Sequence, residues 1–334
     1  MTDIQNSEGI FLNWCKFHGR SEILARRLNI KQFYVFPDSK SVFTRYLKST
    51  IETLHIIYRE NPNYILVMQP PVFLLLIVYV MSKFKFLRIV GDLHTGVFID
   101  PKWKWSKSLV CKMLQKDNCA IVTNHDLAEE VKTNGCKNVF ILDDLIEIYI
   151  DESSKHDNEN IAGIDVTGEF LLAPLAYAFD EPLDALLKAI ELDKNIIWVL
   201  TGNAPVKIRN SAPRNAIFTG YLSNRDYRGL LMKASGVVAL TNQENTMQRA
   251  GYEAMCAGKP LLISDKKVLR DFFEESAIYV DNSATEIYDG AKEILNRKTE
   301  LVMSISNLRS QKMLDQEKSL NRFYEYLKLG NEPA

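Results

Sequence analysis

Apolar residues along this chain gather in short runs that alternate with longer stretches of helical spacing. In the first half the runs are QFYVF (32–36), YILVM (64–68), FLRIV (86–90), CAIVT (119–123) and NVFIL (138–142). Each is brief and bounded by polar or turn-forming positions, which predicts a buried strand. Between them, Ser21 can cap a helix EILARRL, and 39–59 carries apolar residues at Phe43, Leu47, Ile51, Leu54 and Ile57/Tyr58. Further helices are predicted from Val72, over 106–116 and over 125–134. The second half repeats the pattern, with strands EFLLAPLA, IIWVLTG, NAIFTGYLS, GVVALT, LLIS and AIYV. Helices are predicted over LDALLKAIEL, NRDYRGLLMKA, 246–256, 268–274, 284–296 and 300–328. Strands separated by helices of this length imply parallel sheets and an α/β fold. The polar stretch DESSKHDNENIAGID (151–165) reads as a linker, dividing the chain into an N-terminal domain over 1–150 and a C-terminal domain over 166–305.

The stretch VALTNQENTMQRAGYEAMCAGKPLLISD (238–265) is the most informative. A strand, a polar loop, a helix closed by Ala257-Gly258 and a second strand make one parallel βαβ unit. Its loop lies at the carboxyl end of the first strand, the edge where open α/β sheets bind ligands. The helix start offers N–H groups suited to a phosphate. Glu244 and Glu253 bracket that anion site, and carboxylates there call for a ligand that also carries hydroxyls. Taken alone, the stretch is equally a plain crossover with solvated acidic residues.

Charge and cysteines narrow the class. The 334 residues hold 41 Lys and Arg against 42 Asp and Glu, a balance that argues against a nucleic-acid partner. The first 150 residues are the more basic, with 19 Lys and Arg against 15 Asp and Glu. Five cysteines without a CxxC pair suggest reduced thiols, hence a cytoplasmic protein. The polar start lacks a signal-peptide pattern, and the apolar run 72–81 is too short to span a bilayer. No GxGxxG follows the first strand and no GxxxxGK[ST] occurs, so dinucleotide and P-loop readings have no fingerprint.

Two places in the first half could carry chemistry. In GDLHTGVF, Asp92 and His94 lie two apart at a strand end, where either could take a proton from a hydroxyl. Of the two, Asp92 is the expected base and His94 its orienting partner or a phosphate contact. The loop FIDPKWKWSK (98–107), with Lys83, Lys85 and Arg88, reads as a membrane-interface patch around Trp103 and Trp105.

YEAMCAGKP (252–260) resembles the nucleotide-sugar motif of GT-B glycosyltransferases, especially the retaining family 4: Glu, seven residues, Glu-Ala-Met/Leu, small residue, Gly, x-Pro. Here eight residues separate Glu244 from Glu253, so either the loop has one extra residue or Asn245 takes the first-Glu position. The segment 67–96, from VMQPP to GDLHTG, is similar to the dolichol-linked mannosyltransferases that elongate chitobiosyl-diphosphodolichol and to bacterial polysaccharide glycosyltransferases. The resemblance extends to an acidic turn, Asp180-Glu181, and to Gly220-Tyr221. It implies two Rossmann-like domains with a cleft between them and a last helix (306–334) that crosses back to the first domain. It further implies a donor site of Glu244, Asn245, Thr246, Gln248, Arg249, Glu253, Gly202, Gly220, Tyr221, Asp180 and Glu181. The expected reaction moves a hexose from a nucleotide diphosphate-sugar to a saccharide or lipid-linked acceptor, in polysaccharide or glycoconjugate synthesis at the cytoplasmic membrane face. No cofactor is implied, and Asp143-Asp144 lacks the partner of a DxD metal motif. The Arg and Lys that family 4 carries on the 177–182 loop are missing, leaving Lys207, Arg209 and Arg249 as candidate cations for the diphosphate. Inversion or retention stays open. The alternatives are a nucleotide-sugar epimerase of similar fold and an inactive GT-B binding partner.

Overall fold

The computed structural model describes residues 9–149, 160–161, 164–165 and 168–329. The chain divides into two units, Met1–Leu145 with Asp315–Ala334 and Ile146–Leu314. The change of unit thus falls a few residues before the anticipated linker, most of which lies outside the described residues.

The first unit is built on strands β1 (Gly9–Asn13), β2 (Lys31–Tyr34), β3 (Tyr64–Gln69), β4 (Arg88–Leu93), β5 (Cys119–Val122) and β6 (Val139–Ile141). All are parallel, in the order β2-β1-β3-β4-β5-β6. The first strand escapes the sequence reading because only Ile10-Phe11-Leu12, between Gly9 and Asn13, marks it, yet all five residues are buried. Side chains alternate across the sheet: Ile10, Leu12, Ile65 and Val67 enter one core, while Phe11, Leu66 and Met68 enter the other.

Six helices connect these strands: α1 (Gly19–Arg27), α2 (Val42–Glu60), α3 (Val72–Met81), α4 (Gly96–Ile99), α5 (Lys107–Met113) and α6 (His125–Thr133). Helix α2 departs from the usual arrangement. Its periodic residues Phe43, Leu47, Ile51 and Tyr58 face solvent, and Ser49, Thr53, Ile56 and Ile57 are the buried ones. The Trp14 indole N–H donates to Thr53 Oγ1 at 2.9 Å inside this packing. The expected tryptophan pair is also split. Trp103 is 8% exposed and packs edge-on to Phe73 in the core, whereas Trp105 is 61% exposed. An indole in the core cannot contribute to a surface patch, so the 98–107 loop presents one exposed tryptophan, not two.

A short antiparallel pair, β7 (Asn160–Ile161) and β8 (Ile164–Asp165), precedes the second sheet. That sheet comprises β9 (Phe170–Pro174), β10 (Ile197–Thr201), β11 (Ala216–Gly220), β12 (Gly236–Ala239), β13 (Leu261–Ser264) and β14 (Ile278–Val280). Its strands are parallel in the order β11-β10-β9-β12-β13-β14. The helices are α7 (Leu183–Leu192), α8 (Val206–Ser211), α9 (Asn224–Lys233), α10 (Arg249–Ala257), α11 (Lys267–Phe273), α12 (Ala284–Asn296) and α13 (Lys298–Leu329). The expected stop of α10 is present: Gly258 has φ 64, and its N–H bonds back to Ala254 and Met255 carbonyls. The helix begins at Arg249, not at 246, so Thr246 and Gln248 stay in the loop.

Helix α13, at 32 residues, serves both units. Leu301 and Ile305 are buried in cores of the second unit, and Leu320, Phe323 and Leu327 in a core of the first. Phe323 is fully buried and meets Phe140 with ring centroids 5.1 Å apart. Phe323→Ala is expected to cost the first unit about 3–5 kcal/mol, the usual loss for a buried Phe. Urea unfolding followed by probes in each unit should show the first unit weakened and the second unchanged.

Candidate functional site

In both sheets the strand order reverses once, between β1 and β3 in the first and between β9 and β12 in the second. The carboxyl ends flanking such a reversal are where α/β sheets take ligands, because the loops on either side run away from each other. The residues singled out in the sequence fall at or beside these two places.

In the first unit, Asn13, Gln69 and Asp92 lie at the carboxyl ends of the adjacent strands β1, β3 and β4. All three are buried, and the side-chain oxygens of Asn13 and Gln69 have no hydrogen-bond partner. Asp92 does not present a free carboxylate there. It is 1% exposed; Arg20 Nη2 donates to its Oδ1 at 3.2 Å, and its Oδ2 lies 3.0 Å from His94 Nε2. Arg20, itself 5% exposed, also donates to Asp144 Oδ1 at 2.9 Å and to the Leu142 carbonyl at 2.8 Å. Burial works against the Asp92 charge, but Arg20 and His94 outweigh it and hold its pKa well below the usual carboxylate range. A carboxylate so stabilised is a poor proton acceptor. With Asp92 ionised, His94 Nε2 donates to it and Nδ1 is left as the lone-pair nitrogen. Asp92 is thus closed in by Arg20 and His94 and placed to orient the imidazole.

Two partners in this cluster went unnoticed in the sequence. Arg20 meets Asp92 and Asp144 across 72 and 124 residues of chain, a relation that no local pattern announces. His18 stacks edge-on to His94 with ring centroids 4.6 Å apart, and its Nδ1 caps α1 by accepting from the Ser21 N–H.

In the second unit, the loops after β9 and β12 are tied together. Thr241 Oγ1 donates to Asp180 Oδ2 at 3.1 Å, and the Asn242 N–H donates to the Asp180 carbonyl at 2.7 Å. Asn282 and Ser264, which the sequence reading passed over, fasten the same loop. Asn282 Nδ2 donates to the Thr241 carbonyl, and Ser264 Oγ accepts from the Thr241 N–H. Glu181 is used internally: its two carboxylate oxygens accept from the Ala176 and Ala178 N–H groups and close the turn. It is therefore a turn-former, not a free ligand group. Burial raises its pKa, and those two N–H bonds work the other way.

Glu253 projects from α10 with both oxygens engaged, Oε1 by Arg249 Nε at 2.8 Å and Oε2 by Tyr227 OH at 2.5 Å. Burial, then the Glu253 charge, push the Tyr227 phenol well above its ordinary pKa, so it stays a donor. Glu244 is exposed and pairs with Lys266 Nζ at 2.8 Å. Asn245 next to it has φ 55, a left-handed turn residue. Lys266 sits just beyond β13 and brings a cation to this edge that the sequence reading missed; Lys207 and Arg209 lie on α8, and the Arg209 charge acts on the Tyr177 phenol in the loop after β9. Gly202 must be glycine, because with φ 88 a Cβ would stand 2.0 Å from the Leu175 carbonyl oxygen. It donates to the Gly220 carbonyl at 2.9 Å, which places exposed Tyr221 beside the end of β10. Among the described residues no group of His, Cys, Asp and Glu could hold a metal ion.

Two parallel six-stranded units of this build define the GT-B fold, and solved structures share it. HepE from Anabaena, in complex with UDP-glucose, is 12% identical with a TM-score of 0.73, over 96% of this chain and 99% of that one. A glycosyltransferase from Rickettsia africae is 11% identical with a TM-score of 0.63, over 97% and 99% of the two chains. S. aureus MnaA in complex with UDP is 15% identical with a TM-score of 0.63, over 98% of each. No family model and no curated protein matches the sequence.

The His18 cap gives a pH test. Burial, then the neighbouring His94, lower its pKa from 6.5 to about 4. The unfolded chain therefore binds a proton between these values and the folded chain does not, so stability falls as pH drops through that window. The slope is at most about 1.4 kcal/mol per pH unit. His18→Asn keeps a capping side chain without the titration. Urea midpoints at pH 7 and pH 5 should separate in the wild type and move closer together in the variant.

Proposed function

We propose that this chain is a glycosyltransferase that moves a hexose from a nucleotide diphosphate-sugar to a hydroxyl of a saccharide or lipid-linked saccharide. The observation that carries this reading is Glu253, a carboxylate held at both oxygens by Arg249 and Tyr227 at the strand-order reversal of the second unit. A carboxylate fixed in direction is suited to accept from the paired hydroxyls of a ribose, beside an edge that also offers helix N–H groups and the cations Arg249 and Lys266. Uridine nucleotides are the first donors to try, since HepE and MnaA hold UDP in a shared fold.

In the proposed reaction His94 Nδ1 takes the acceptor proton. The acceptor oxygen bonds to the anomeric carbon, and the bond from that carbon to the diphosphate oxygen breaks, with the electron pair leaving on the diphosphate. Arg249, Lys266 and the first N–H groups of α10 balance the growing charge. Asp92 stabilises the imidazolium that forms. A single displacement of this kind inverts the anomeric centre. Synthesis of a polysaccharide or glycoconjugate is the setting that fits such an acceptor.

Glu253→Ala should weaken UDP binding by roughly 1.5–3 kcal/mol, the worth of a hydrogen bond to a charged group. Calorimetric titration with UDP checks this, and undiminished affinity would remove the donor site from the reading. His94→Gln should leave UDP affinity as it is and cut turnover by about 10²–10⁴-fold, the usual contribution of a general base. Supplying the sugar nucleotide without acceptor separates transfer from epimerisation: accumulation of an epimer would favour an epimerase.

A further inference from the structure

The outer surface of α2 and α3 has no role in the chemistry above, yet it is strongly apolar. Phe43, Leu47, Ile51 and Tyr58 follow helical spacing along α2 and are all exposed. Phe73, Leu76 and Val80 of α3 are exposed as well. The two helices lie side by side: the Tyr46 and Phe73 rings meet edge-on at 5.3 Å, and at the other end Lys85 Nζ reaches Asn61 Oδ1 at 2.7 Å. Beyond α3 the sequence Lys83-Phe84-Lys85-Phe86 carries two phenyl rings that are 81% and 89% exposed. Scattered surface apolar residues need no explanation, but a contiguous face of this kind marks an interaction site.

Charge says what covers it. Residues 42–60, 72–88 and 102–112 contain ten Lys and Arg against two Asp and Glu; setting aside Arg59 and Lys107, which pair with Glu60 and Glu130, and Arg88, which binds carbonyls of α13, leaves seven cations. The third segment adjoins the face through Trp103 against Phe73, and it carries exposed Trp105. Of the two acids, Glu60 is occupied by Lys31 and Arg59. A second copy of the chain would set this basic surface against itself, since a two-fold contact pairs a patch with its own image. An anionic bilayer offers the opposite charge together with an apolar interior. Among the described residues no helix is long and apolar enough to cross a membrane, so the contact is one of lying on the surface.

We propose that the α2–α3 face, with the 83–86 loop as its inserting edge, docks this chain on an anionic lipid surface. Aromatic rings alternating with lysines suit that edge, because the rings enter the acyl boundary while the ammonium groups stay with the headgroups. The proposal does not rest on the transferase reading, and its test needs no turnover.

The full chain should sediment with vesicles of phosphatidylcholine and phosphatidylglycerol at low salt and be released by high salt. It should stay in solution with phosphatidylcholine alone. Lys83→Gln with Lys85→Gln should weaken binding roughly twenty-five-fold, about five-fold for each cation removed from the lipid surface. Leu47→Ser with Ile51→Ser should also release it, while leaving the thermal midpoint unchanged because both positions are exposed. The proposal is overturned by a chain that stays in solution with anionic vesicles, by equal binding to neutral ones, or by variants that bind like the parent. It is also overturned if light scattering finds a dimer that Leu47→Ser with Ile51→Ser dissociates.

Discussion

The first unit depends on one buried cation. Arg20 stands between the Asp92 and Asp144 carboxylates and also satisfies the Leu142 carbonyl, so three elements distant in sequence meet on one guanidinium. Burying a charge is costly unless it is paired and fully hydrogen-bonded, and the planar fork of arginine can meet several acceptors at once. The consequence reaches the chemistry. Asp92 stays ionised because Arg20 is there, and His94 keeps its ring orientation because Asp92 is ionised. Asp92 is thus set between a guanidinium and an imidazole.

The second unit solves the same problem with hydrogen bonds in place of a buried cation. Asp180, Thr241, Ser264 and Asn282 tie the loops after β9, β12, β13 and β14 to one another. The loops at this edge of the sheet are thereby held to one another. Glu253 is aimed in the same spirit, by a phenol from α9 and a guanidinium one turn back on α10. Preorganised groups need little rearrangement when charge develops.

Much of this fold was legible in the sequence, because alternating apolar runs and helical spacings report local periodicity. YEAMCAGKP carried its helix stop and following strand in plain view, and Gly258 takes the left-handed conformation such a stop demands. What stayed hidden was of two kinds. Strand β1 is too brief for its period to register, although it pairs on both sides within the sheet. The partners of the site residues, Arg20 for Asp92, Tyr227 for Glu253 and Lys266 for Glu244, are chosen by tertiary proximity. Helix α2 shows a subtler limit. Its spacing identified the helix correctly, but the period of a stripe does not say whether the stripe faces inward.

That orientation includes a small feature, the bond from the Trp14 indole to Thr53 Oγ1. Helix α2 has two faces able to pack on a sheet, one of Ile56 and Ile57 with small polar residues, the other of larger apolar side chains. Rolling about its own axis would bury the larger face and leave the indole N–H without an acceptor inside the core. One buried donor therefore favours the roll that is seen. Exchange of the Thr53 hydroxyl for a methyl would remove that acceptor and leave the buried indole N–H unpaired, loosening one tie between the core and the face that α2 turns outward.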